Sequence, residues 1–126
     1  MNINIYIPKI GFKSGELFHV FRNLKLRLTK GAGCCDVYCL DRYLAKKIIK
    51  PLRVFRNSTC AYPMTFDKFD DWIKVLDEII WSFDFLLNDN ELPKDVKFGS
   101  KKANKYFKRQ QKGFELFGKY FLSLWI

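Results

Sequence analysis

The sequence from Thr65 to Asn88 reads TFDKFDDWIKVLDEIIWSFDFLLN, and this stretch decides the fold class. At about 100° per residue, its large apolar residues fall on one face of a helical wheel. Those residues are Phe69, Trp72, Ile73, Leu76, Ile79, Ile80, Phe83 and Leu87. Thr65 is a good N-cap, and Asp67 places negative charge in the first turn, where the helix dipole favours it. The pattern predicts a long amphipathic helix at the centre of a mainly α fold.

The helix before it is predicted from Val37 to about Asn57, with Asp36 at its N-cap. Pro51 lies inside this helix, so a kink is expected there. The apolar residues share one arc of the wheel: Val37, Leu40, Leu44, Ile48, Leu52 and Phe55. A basic stripe is expected on the opposite side, formed by Arg42, Lys46, Lys50, Arg53 and Arg56.

The helix after it is predicted to begin behind Ser100 and to run to about Leu124. Its apolar face consists of Ala103, Phe107, Phe114, Phe117 and Phe121. Its basic face consists of Lys101, Lys105, Lys108, Arg109, Lys112 and Lys119. Gly113 and Gly118 each cost about 1 kcal/mol relative to Ala inside a helix. Their presence suggests that another helix approaches closely at this point.

At the N-terminus, residues 2–7 alternate between polar and apolar, which predicts a short strand. Residues 14–28 have helical spacing, although the segment from Leu24 to Leu28 also alternates like a strand; we favour a helix. The predicted architecture is a single domain over residues 1–126. It is a compact bundle of three to four helices with a short N-terminal strand.

Composition narrows the class of protein. With 126 residues, 48% of them apolar, the chain is large enough for one buried core and too apolar for disorder. Its apolar runs are too short to span a membrane, and the N-terminus lacks the pattern of a signal peptide. We therefore expect a cytosolic protein without a membrane partner. In that compartment the four cysteines, Cys34, Cys35, Cys39 and Cys60, are expected to be reduced thiols.

The charge is unevenly distributed along the chain, which carries a formal net charge of +10. Residues 1–65 hold 12 basic and 3 acidic residues (+9), residues 66–91 hold 2 and 8 (−6), and residues 92–126 hold 9 and 2 (+7). A basic chain around an acidic helix indicates an anionic partner, either a nucleotide or a nucleic acid. The alternative is that the charges serve solubility and pairing between helices.

The candidate ligand-binding residues are the basic ones of the two flanking helices, since Arg and Lys both bind phosphate. They are Arg42, Lys46, Lys50, Arg53, Arg56, Lys101, Lys105, Lys108, Arg109 and Lys112. Trp81 and Phe85 lie on the central helix, away from the centre of its apolar face. They indicate either a core on both sides of the helix, an oligomer contact, or a base-stacking site.

Asp70, Asp77 and Asp84 recur every seven residues on one flank of the central helix and are expected to face basic residues of neighbouring helices. The chain contains one histidine, His19, and no zinc-type cysteine spacing, so no metal or cofactor is expected. It shows no catalytic triad pattern and no phosphate-binding glycine loop. We therefore expect a protein that is not an enzyme.

Three stretches carry a resemblance: LDRYLAKKIIKPL (residues 40–52), the stretch from Tyr62-Pro63 through Phe83, and GFELFGKYFLSLW (residues 113–125). Together they resemble a family of small, uncharacterised proteins of tailed bacteriophages, over about residues 34–126. The resemblance implies an accessory phage protein that acts in the cytoplasm of the infected bacterium. It implies no catalytic residues.

These observations leave three hypotheses open. The first is a non-enzymatic protein that binds an anionic nucleotide and, as a counter-defence protein, sequesters a nucleotide immune signal of the host. The second is a protein that binds DNA or RNA through the same charges. The third is an interaction protein that contacts a host protein, or a second copy in a homo-oligomer, through Trp81 and Phe85.

Overall fold

The computed structural model describes residues 14–125, and this range is mainly helical, with no strand. The mainly α prediction is confirmed. The strand predicted for residues 2–7 lies outside the described residues. Five α-helices are present, in place of the three or four expected: α1 (Ser14–Lys30), α2 (Cys34–Tyr38), α3 (Leu40–Ser58), α4 (Phe69–Leu87) and α5 (Lys101–Lys119). A short 3-10 helix, Phe121–Ser123, follows α5.

The chain divides into two compact units between Leu40 and Asp41. In the first unit, α1 is continuous through Leu24 to Leu28, the segment that also alternates like a strand. Arg27 donates through Nε and Nη2 to the two carboxylate oxygens of Asp36, at 2.7 and 2.8 Å, which ties α1 to α2. Gly33 lies against α1, and a Cβ there would be 3.0 Å from the side chain of Asn23.

The predicted helix from Val37 to Asn57 is wrong at its start. The backbone breaks at Cys39 (φ −118°, ψ 58°), which separates the short α2 from α3. Asp36 is therefore not an N-cap: it lies inside the first turn of α2, where its carboxylate accepts a hydrogen bond from the N–H of Gly33 at 2.8 Å. A carboxylate in this position satisfies an N–H group at the start of the helix, as in a capping box.

The central helix, α4, begins at Phe69 rather than behind Thr65, and its N-cap is Lys68, whose side chain makes no capping hydrogen bond. A turn precedes it, in which the N–H of Phe66 donates to the carbonyl of Pro63 at 3.1 Å. The ring of Phe66 packs against Trp72, with the ring centroids 5.6 Å apart. Phe66 thus contacts Trp72 from a turn that lies outside the helix.

In the second unit, the core lies between α3, α4 and α5. Its buried residues are Ala45, Ile49 and Leu52 of α3 with Ile79 and Phe83 of α4, and Phe114 and Phe117 of α5 pack against them. The buried face of α3 is thus rotated from the predicted arc: Leu44 is 46% exposed and Ile49 is 5% exposed. The rotation brings the arginines of α3 beside α4.

At the start of α5 the prediction is confirmed, because the Ser100 hydroxyl oxygen accepts a hydrogen bond from the N–H of Ala103 at 3.2 Å. Its end is not at Leu124 but at Lys119, followed by Tyr120 as C-cap. The ring of Tyr120 packs on Phe66 and Trp72, with centroid distances of 5.2 and 5.5 Å. This packing accompanies the change from α to 3-10 geometry.

Candidate functional site

The arginines of the predicted stripe on α3 lie against carboxylates. Three ion pairs join this helix to α4 and the turn after it: Arg42 with Asp89, Arg53 with Asp84, and Arg56 with Asp77. Arg56 donates through Nε and Nη2 to both oxygens of Asp77, at 2.8 and 3.1 Å. These hydrogen bonds, and the charge of the carboxylate, raise the pKa of Arg56. Asp77 and Asp84 therefore face basic residues of a neighbouring helix, as predicted, whereas Asp70 forms no ion pair within the part of the chain that the structure describes.

Arg109 of α5 is also engaged within the fold. Its Nε and Nη2 donate to the two carboxylate oxygens of Glu78, both at 2.8 Å. Its Cζ lies 3.9 Å from the centroid of the Trp81 ring, a cation–π contact. The two hydrogen bonds from Arg109 hold the pKa of Glu78 below its ordinary value, against partial burial, which acts in the opposite direction.

The lysines of the predicted stripes point to solvent instead. Those exposed are Lys46 and Lys50 of α3, and Lys101, Lys105, Lys108 and Lys112 of α5. Within residues 15–125 none of these six forms an ion pair. The four on α5, which we name the lysine row, share one face and extend over about 16 Å at 1.5 Å per residue.

An aromatic cavity of about 440 Å³ lies beside α5. Its lining consists of Trp81, Phe85, Asn88, Glu91, Leu92, Pro93, Lys94 and Tyr106. Trp81 stacks on Phe85, with centroids 5.0 Å apart and ring planes 10° from parallel. The ring of Tyr106 is 6.3 Å from Trp81 and 6.2 Å from Phe85. Phe85 is 8% exposed and forms the closed side of the cavity.

A second, apolar groove of about 410 Å³ lies between α3 and the C-terminal segment. Its lining consists of Lys47, Ile48, Pro51, Leu52, Phe55, Phe117, Phe121 and Leu124. Near it in sequence, Leu122 is 88% exposed and Trp125 is 71% exposed. This groove does not include Trp81 or Phe85, the two residues predicted as a partner contact.

The predicted basic residues do not converge on either cavity. The aromatic cavity has Lys94 as its one basic lining residue, and the apolar groove has Lys47. Sequence reasoning identified Trp81 and Phe85 but missed Tyr106 and Lys94. Tyr106 lies at the border between the apolar and basic faces of α5, a position that helical spacing assigns to neither. Lys94 follows a proline in a connecting segment without periodicity.

Across the residues that the structure describes, no group of three or more His, Cys, Asp or Glu side chains could hold a metal ion. No helix in the same range is long and apolar enough to cross a membrane. Cys35, Cys39 and Cys60 are free and exposed.

Comparisons with protein-family models, with curated proteins and with solved structures found no match. The resemblance to tailed-phage proteins is therefore an expectation from the sequence alone.

Proposed function

We propose that this protein binds nucleic acid without catalysing a reaction, and that the lysine row of α5 contacts the phosphate backbone. The observation that carries the proposal is the division between arginines and lysines. Four arginines of the predicted stripes pair with carboxylates, whereas the four lysines of the row point to solvent. A line of exposed cations fits a line of phosphates better than it fits one small anion.

The charge of α5 is not balanced within the helix. Between Lys101 and Lys119 it contains seven basic residues and one acidic residue, Glu115. Arg109 is the basic residue of this helix that pairs with α4, through Glu78. The excess positive charge therefore stays at the surface, where it attracts a polyanion.

The first turn of α5 adds a second argument. Lys101 and Lys102 directly follow the N-cap, and the first turn holds no acidic residue. The positive end of the helix dipole disfavours cations there by about 0.3–1 kcal/mol each. Two lysines at this end lower the stability of the helix, and binding of an anion offsets that cost.

The resemblance to tailed-phage proteins sets the biological context of the proposal. In that context the protein acts in the cytoplasm of the infected bacterium, as an accessory protein and not as part of the virion. Host or phage nucleic acid is then its partner, and a role in counter-defence is part of the same proposal.

The test is fluorescence anisotropy with a labelled oligonucleotide at stepped salt concentrations. We expect an affinity that falls steeply with salt. In a plot of the logarithm of the binding constant against the logarithm of the salt concentration, the variant with Lys105→Gln and Lys108→Gln should reduce the magnitude of the slope by about 1.4 for a single strand. The charge-matched control is Lys46→Gln with Lys50→Gln on α3, which removes the same net charge elsewhere. If both double variants weaken binding equally, the contact surface is not the lysine row. An absence of binding at low salt would overturn the proposal itself.

A nucleotide ligand is the second candidate, and the aromatic cavity favours it. The cavity is an open depression of about 440 Å³, against which a flat base could lie. Tyr106 offers ring surface, and Lys94 offers a charge for phosphate. Calorimetric titration with linear and cyclic nucleotides tests this candidate, and a panel without heat at low salt removes it.

A further inference from the structure

We infer that the aromatic cavity receives one unpaired base of the nucleic acid whose phosphates lie on the lysine row, so that the preferred ligand is single-stranded. This inference rests on the proposed function and names its substrate class. It joins the lysine row of α5 to a cavity between α4, the segment after α4 and Tyr106 of α5, all within the second unit.

The cavity and the row lie on different sides of α5, because Tyr106 lines the cavity and consecutive residues such as Lys105 and Tyr106 point about 100° apart on a helix. Lys102 lies between them on the helix surface, since it precedes Lys105 by three residues and Tyr106 by four. Lys102 is exposed. A strand whose phosphates follow the row can therefore turn a base toward the cavity without leaving α5.

The chemistry of the lining fits a base. Tyr106 presents aromatic surface to the cavity, and the buried Phe85 and the partly buried Trp81 complete its aromatic lining. Asn88 is exposed and carries both a donor and an acceptor for the edge of a base. Lys94 adds a cation at the rim, where a further phosphate of the strand can bind.

Tyr106 is the residue that the inference assigns to stacking. The guanidinium of Arg109 already lies over the Trp81 ring at 3.9 Å, and Phe85 stacks on the same ring. Tyr106 makes two offset ring contacts, at 6.2 Å with Phe85 and 6.3 Å with Trp81, and its side chain is only partly buried, so part of its ring remains open to the cavity. A duplex cannot use this ring, because its bases are already stacked and paired inside the helix.

The experiment compares three labelled ligands of equal length on the full chain: single-stranded oligothymidylate, an abasic strand, and a duplex. A base in the cavity predicts that the single strand binds about 5- to 150-fold more tightly than the abasic strand, as expected for one stacked base. The abasic strand keeps the phosphates and needs no change in the protein, so protein folding cannot confuse the result. A ribonucleotide strand in parallel distinguishes RNA from DNA as the source.

Variants locate the effect. Tyr106→Leu should lower the affinity for the single strand by the same factor and leave the affinity for the abasic strand unchanged. Tyr106→Phe should restore the affinity for the single strand. Tyr38→Leu, at a tyrosine that is 90% exposed on α2, should change neither affinity. Equal affinities of the wild-type protein for the single strand and the abasic strand would overturn the inference and leave the proposed function standing. Failure of all three ligands to bind would instead remove the proposed function. A free mononucleotide that binds as tightly as the strand would also overturn the inference.

Discussion

Gly113 of α5 lies directly against Ser82 of α4. A Cβ placed on Gly113 would be 1.8 Å from the Oγ of Ser82 and 2.6 Å from its Cβ. The backbone carbonyl oxygen of Glu78 would be 2.8 Å from the same atom. Ser82 is fully buried, and its hydroxyl donates to the carbonyl of Glu78 at 3.0 Å. The two helices are so close here that a side chain on Gly113 would fit only after a shift of the backbone.

Gly113→Ala is therefore expected to lower the free energy of unfolding by about 1–3 kcal/mol, the usual cost of overpacking. Gly118→Ala is the matched control, because Gly118 lies in the same helix with nothing within 4 Å of an added Cβ. The control should raise the free energy of unfolding by up to about 1 kcal/mol, through helix propensity alone. Urea unfolding measures both changes. A stabilising effect at both positions would refute the close approach.

The pair of Arg109 and Glu78 gives a prediction about pH. The pKa of Glu78 is lowered from 4.5 in the folded protein, chiefly by hydrogen bonds from Arg109. A carboxyl group with a lowered folded pKa adds stability that is present above its unfolded pKa, about 4.3–4.5, and is lost as the pH falls through the folded value. The wild-type protein should therefore have a higher free energy of unfolding than Glu78→Gln at neutral pH, and this difference should disappear in acid.

Denaturation of both proteins between neutral and acidic pH measures this difference. Because the Glu78 side chain is 41% exposed, we expect at most about 1 kcal/mol at neutral pH. Glu115→Gln is the control, since Glu115 is an exposed acid of α5 that forms no ion pair within residues 15–125. A difference between wild type and Glu78→Gln that grows in acid would contradict the assignment.

The contact between α3 and α4 is tested by a double-mutant cycle on Arg53 and Asp84. The variants are Arg53→Gln, Asp84→Asn and the double substitution. Side-chain exposures of 51% and 34% place this pair at the surface, so the coupling energy should be about 0.2–1 kcal/mol. Its size should fall at high salt, because salt screens exposed charges. A coupling of zero at low salt would show that the pair does not stabilise the contact between α3 and α4.

The sequence was sufficient for the mainly α class and for the buried face of α4. Trp72, Leu76, Ile79 and Phe83 are buried as the helical wheel of α4 predicts, because a long periodic apolar face has one arrangement that removes it from water. The same rule failed for α3, where Ile49 is buried and Leu44 is 46% exposed. There the side that turns inward is the one carrying Ala45, Ile49 and Leu52, and the arginines that pair with α4 lie beside it.

The candidate site was only partly predictable for a related reason. A wheel places Arg53 and Lys50 in one basic stripe, although one pairs with a carboxylate and the other points to solvent. That difference depends on the position of acidic residues on another helix, which local periodicity does not contain. The contact of Tyr106 with Trp81 is likewise a contact between two helices.

The first turn of α5 allows stability and binding to be separated. Lys101→Glu places a negative charge at the positive end of the helix dipole, so it should raise the free energy of unfolding by about 0.3–1 kcal/mol. It also removes a cation from the lysine row, so it should weaken binding of an oligonucleotide. The same variant is thus expected to be more stable and to bind less.

Lys108→Glu, in the middle of α5, is its matched control. Both substitutions place Glu four residues before a lysine, Lys105 or Lys112, but Lys108→Glu also lies three residues after Lys105, so helix pairing favours the control and the dipole favours Lys101→Glu. Lys108→Glu should weaken binding without a contribution of the dipole to stability. Thermal unfolding and anisotropy at one salt concentration measure both properties. A Lys101→Glu variant no more stable than the wild-type protein would refute the dipole argument, and unchanged binding in both variants would refute the assignment of the lysine row.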